Sequence, residues 1–179
     1  QHYLIKGLVN FGMVGFVAGS KNAGKSPLLL DLAAHIVKGE PWLGHRVKQA
    51  YVLYVATEGW TGIGNRLRAV RQVYFDGAES VALDYAATPL DLRTSRASAR
   101  AIVETAKERA AGFGLEPGLI IIDTFSHTLA GGDDSNQADV KPAIGNMKWI
   151  AGETGAAVLA AHHPTKNGSS GVRGSSTIE

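Results

Sequence analysis

None of the 179 residues is a cysteine, which excludes a disulfide framework, a thiolate metal site and a cysteine nucleophile. A cytoplasmic setting is the expectation that follows. Charge of either sign is also in short supply: 18 Lys and Arg against 16 Asp and Glu leave a formal net charge of +2. That is too little to wrap nucleic acid over the whole surface, so any such binding must come from local loops. No apolar run approaches the roughly twenty residues that span a bilayer, and the amino terminus lacks a basic-then-apolar signal pattern. A soluble protein without a membrane partner is expected. The sequence opens on Gln1 and stops at Glu179, inside what reads as an active loop, so it is expected to be a piece of a longer chain.

What is present is an apolar content of 45%, enough for a globular core at a length that suits a single domain over residues 1–179. Gly19-Ser20-Lys21-Asn22-Ala23-Gly24-Lys25-Ser26 fits G-x-x-x-x-G-K-[ST] at every fixed position. A short apolar run, Met13 to Ala18, precedes it, and Leu28 to Val37 follows with helical spacing. That strand-loop-helix context is what a phosphate-binding P-loop requires. Glycines allow a tight turn that aims backbone N–H groups at phosphate oxygens, and the positive end of the next helix favours anions. Lys25 is placed to reach β- and γ-phosphates and Ser26 to offer a hydroxyl to Mg2+. Pro27 falls in the first helical turn, where a missing N–H is tolerated.

Further along, Tyr51 to Ala56 reads as a strand closing on Thr57-Glu58-Gly59, and Leu119-Ile120-Ile121-Ile122 as a strand buried on two faces that ends on Asp123-Thr124. Ile63, Leu67, Val70 and Val73 have helical spacing, with Arg66, Arg68 and Arg71 on a solvated face. Ser80 to Ala86 is a weaker strand. Ser95 to Ala110 is a helix with ordinary surface charges, and a helix capped at Asp139 runs on to Thr154. Ala156 to Ala161 is the last strand; it delivers His162 and His163, after which Asn167 to Ser176 is a glycine- and serine-rich loop. The apolar lead-in, Gln1 to Asn10, is expected to cover an edge of the sheet. Strands alternating with helices imply one parallel α/β sheet with helices on two faces, and ligands bind at the carboxyl ends of such strands.

Four strand ends carry polar groups. Asp123 matches a Walker B carboxylate for the metal, and Glu58 is the candidate base for an attacking water. His162 and His163 either sense the γ-phosphate or simply end a strand. A zinc pair lacks a third ligand at suitable spacing. No Asn-Lys-x-Asp guanine motif is present, which favours ATP. Arg173, on a loop tip, is either a solvated charge or a guanidinium able to stabilise a transferring phosphoryl group.

In the order and spacing of these motifs, from Gly19 to Ser26 through Glu58-Gly59, Ile120 to Thr124 and His162-His163-Pro164-Thr165-Lys166 to Arg173-Gly174-Ser175-Ser176, the chain resembles the RecA-like hexameric helicase ATPases of the plasmid RepA type, related to the DnaB replicative helicases. The resemblance implies a three-layer α/β/α P-loop NTPase that assembles as a homo-oligomer, a hexameric ring with nucleotide between subunits and single-stranded DNA in the channel. It implies Glu58 as catalytic glutamate, His163 as γ-phosphate sensor and Arg173 as a finger donated to a neighbour. Strands that follow the Arg-Gly-Ser-Ser segment in that family are expected to be missing. Lys166 and the loop after it are the expected DNA contacts, because Asp133 and Asp134 would repel phosphates from the other polar turn. The competing classes are a non-motor regulatory ATPase of the same fold and a P-loop kinase acting on a small molecule.

Overall fold

Wholly apolar strands can sit only where two layers cover them, and the chain places its two most apolar strands side by side near the middle of a sheet. The computed structural model describes residues 2–163, apart from the side chains of Trp60 and Thr61. In chain order the elements are β1 (Tyr3–Ile5), β2 (Val9–Asn10), β3 (Val14–Ala18), α1 (Lys25–Lys38), β4 (Tyr51–Ala56), α2 (Trp60–Phe75), β5 (Leu83–Ala87), α3 (Ala97–Gly112), β6 (Pro117–Asp123), a 3-10 turn (Phe125–Thr128), α4 (Gln137–Thr154) and β7 (Ala157–His162). Five strands form one parallel sheet in the order β3-β7-β6-β4-β5.

Parallel crossovers are right-handed. The chain steps from β3 to β4 to β5 in one direction and returns through β6 to β7, so α1 and α2 cover one face and α3 and α4 the other. The helices pack accordingly, α1 on α2 and α3 on α4. The result is a three-layer α/β/α domain of the RecA-like P-loop NTPase type. Ile120, Ile121 and Ile122 in β6 are completely buried, as are Tyr51, Val52 and Tyr54 in β4.

Several elements differ from their sequence reading. The lead-in makes its own antiparallel hairpin, β1 with β2, turning at Gly7 with a φ of 80°. Leu4 and Ile5 are fully buried, and the Leu4 carbonyl accepts from the Lys48 N–H at 2.9 Å. The hairpin therefore closes the amino-terminal foot of β4 and β6 rather than an edge of the sheet. The cap of α4 is Asn136, whose side chain accepts from the Ala138 N–H at 2.9 Å. Asp139 lies inside the first turn, and its carboxylate is held by Arg93 at 3.0 Å. Charges on α3 are more than solvated: Arg109 grips Asp84 through Nε at 2.6 Å and Nη2 at 3.0 Å. The weak strand runs Leu83–Ala87, later than its apolar pattern suggested.

Candidate functional site

The loop between β3 and α1 turns at two residues in the left-handed region, Asn22 at φ 64° and Gly24 at φ 83°. Asparagine and glycine are the residue types that reach this region most readily. The loop is tied to β7 through the Gly19 N–H, which donates to the His162 carbonyl at 3.2 Å. Ser20 to Gly24 are exposed, while Lys25 is only 7% exposed. Its ammonium spends all three donors on the Gly19 carbonyl at 2.8 Å, the Ser20 carbonyl at 2.9 Å and His163 Nδ1 at 3.0 Å. A lysine accepts nothing, so His163 receives this bond and carries its hydrogen on Nε2. The two residues are far apart in sequence, and only the adjacency of β3 and β7 brings them together.

Asp123 ends β6 and is 8% exposed. In the register of β4 with β6, Ala56 is opposite Asp123 and Tyr54 opposite Ile121. Side chains two apart share a face, so Tyr54 meets Asp123 diagonally and its hydroxyl donates to Oδ2. Burial, followed by the Asp123 charge, pushes the Tyr54 phenol well above its ordinary range, with the Ser26 hydroxyl acting in the opposite direction. The positive charge of Arg66 also acts there. Arg66 is exposed, as the solvated-face reading expects, and with Pro27 it borders an apolar cleft between α1 and α2 of about 230 Å³.

The ends of β4 and β6 are laced together. The Thr57 N–H donates to the Asp123 carbonyl at 2.8 Å, and the Thr57 hydroxyl accepts from the Thr124 N–H at 2.8 Å. Glu58 follows directly, exposed, with Oε2 at 3.5 Å from Nδ1 of His127 on the 3-10 turn. The neighbouring acidic turn is bound to itself: Asp133 accepts from the Ser135 N–H and hydroxyl, which hold its carboxyl below the usual range. Asp134 accepts from the Ser126 hydroxyl at 2.7 Å.

His162 is set edge-on to Phe16 and Phe125. Burial lowers its pKa from the ordinary 6.5, Asp134 opposes the change, and His163 and Lys25 reinforce it. The two histidines thus part company: His163 faces the P-loop lysine, and His162 faces an aromatic wall.

A serine hydroxyl and a carboxylate are hard oxygen donors, suited to a divalent ion such as Mg2+. No group of three or more His, Cys, Asp or Glu side chains that could hold a metal occurs among the described residues. An ion at Ser26 and Asp123 would complete its shell from phosphate oxygens and water, as Mg2+ does in nucleotide sites. The donor set fits the group.

Sequence reasoning passed over Tyr54, Thr57 and His127. Tyr54 is hidden in an apolar run, and a lone threonine or histidine has no motif spacing. Lys166 and Arg173 lie outside the described residues. No helix among the described residues is long and apolar enough to cross a membrane. A family model described as an AAA domain matches residues 1–169. No curated protein matches the chain.

Proposed function

The chain belongs to the AAA domain family, and from that premise we propose that it is a motor ATPase that hydrolyses MgATP while acting on single-stranded DNA in replication or recombination. In this reading it is a helicase of the RepA and DnaB kind, working as a ring of identical subunits. The observation that supports the ATPase chemistry most is the convergence at one end of the sheet: Lys25 beside His163, Asp123 at the end of β6, and Glu58 just beyond the end of the neighbouring β4.

The P-loop backbone from Gly19 to Ser26 cradles the phosphates. Lys25 exchanges its carbonyl and imidazole partners for β- and γ-phosphate oxygens, and His163, released from the lysine, is free to report the γ-phosphate. Ser26 and Asp123 hold Mg2+, whose contribution when bound is to neutralise charge on the phosphates. Glu58 takes the proton of the attacking water, with His127 limiting its orientations. Arg173 completes a neighbour's site, and Lys166 with the glycine-rich loop after it contacts the DNA.

The test is phosphate release from ATP by the purified chain, with and without single-stranded DNA. Stimulation by DNA is expected. Hydrolysis that ignores DNA would replace the motor by a regulatory ATPase, and transfer to a small acceptor without phosphate release would replace it by a kinase.

A further inference from the structure

Tyr54 sits mid-strand among apolar residues, where phenylalanine would fill the core equally well, so the hydroxyl needs a reason. A buried phenol requires a hydrogen-bond partner, and this one reaches past its own strand to the carboxylate at the end of the next. We propose that Tyr54 is a positioning residue for the divalent-ion site, aligning the Asp123 carboxylate. The inference rests on the MgATP reading of the site and concerns a residue outside its motifs.

The geometry sets the role of each atom. With Oδ2 occupied by the phenol, the Asp123 carboxylate is restricted in rotation, which would leave Oδ1 for an ion or its water. Partners that orient metal-ligating side chains typically account for about 10- to 100-fold in metal affinity.

The experiment measures binding of a fluorescent ATP analogue to the intact chain, first in chelator and then across a Mg2+ titration. Tyr54→Phe should bind the metal-free analogue as wild type does, while its half-saturating Mg2+ concentration rises roughly tenfold. Tyr54→Met, which also lacks the hydroxyl, should behave alike and guards against a folding defect in either variant. Tyr54→Phe combined with Asp123→Asn should be no worse than Asp123→Asn alone, because the tyrosine acts through the carboxylate. A hydroxyl that merely satisfied the core would change thermal stability and leave the Mg2+ dependence where it was. That outcome, or multiplicative losses in the double variant, overturns the proposal while leaving nucleotide binding intact. Failure of the wild type to bind the analogue at all would overturn the nucleotide reading along with it.

Discussion

Replacing Gly118 by alanine tests how the amino-terminal hairpin is locked to the foot of the sheet. A Cβ on Gly118 would stand 2.3 Å from the Ala50 Cβ, 3.1 Å from Leu4 Cδ1 and 3.5 Å from the Tyr51 carbonyl oxygen. Carbon atoms in contact prefer about 3.5–4.0 Å. The leucine tip can rotate away, but an alanine methyl has no torsion with which to retreat, so the backbones of β6 and of the residue before β4 must separate. Overpacking of this kind costs about 1–3 kcal/mol and sometimes more. The opposing gain from a stiffer unfolded chain is only about 0.4–1 kcal/mol, so the clash wins and Gly118→Ala is destabilised by a net of about 1–2 kcal/mol. For a domain of this size that lowers Tm by roughly 2–8 °C.

The second variant, Ala50→Gly, loses a buried methyl at about 0.8 kcal/mol and adds backbone freedom at about 0.5–1 kcal/mol. The double variant moves the methyl from one backbone to the other and removes the clash, so it should return to within about 0.5 kcal/mol of wild type rather than show the summed loss. Urea denaturation of the four proteins supplies the cycle. Additive losses, or a Gly118→Ala protein as stable as wild type, would refute the packing argument.

Lys25→Ala should abolish nucleotide binding, whereas Glu58→Gln should bind normally and hydrolyse about 10²- to 10⁴-fold more slowly; equal loss of binding in the two rejects their assignment. His127→Ala should reduce kcat about two- to fivefold, the worth of an exposed ion pair, with nucleotide affinity unchanged in a fluorescence titration. Burial lowers the His162 pKa below 6.5 in the folded chain, so the unfolded chain takes up a proton first as pH falls. The stability that neutral His162 allows is therefore present above pH 6.5 and is lost as pH drops toward its folded value; His162→Gln should flatten that fall in a series of thermal melts. Arg173→Ala should bind ATP yet lose about a thousandfold or more in hydrolysis, and mixing it with Lys25→Ala subunits should restore activity, since some interfaces then pair an intact P-loop with an intact arginine. Co-assembly without recovery would show that Arg173 does not act in trans.

Local chemistry was enough to read the phosphate loop from the sequence. Gly24 is required by its left-handed backbone and the apolar run from Leu119 to Ile122 by burial on two faces, and each of these is written in a few consecutive residues. Alternation of strand and helix likewise made a parallel α/β sheet legible, because few other arrangements bury such runs. Sheet order was a different matter. Nothing in the residues of β7 says that it inserts between β3 and β6, and that insertion is what sets His163 against Lys25. The Tyr54 hydroxyl, the Thr57 lacing and the His127 contact with Glu58 depend on the register of β4 with β6 and on the turn after it. The hairpin went to the foot of the sheet because Gly118 and Ala50 leave room there for Leu4, a vacancy that exists only once two distant strands have paired. Short-range pattern decides what each segment becomes, while partners separated by long stretches of chain are chosen by packing, which has no signature in any one of them.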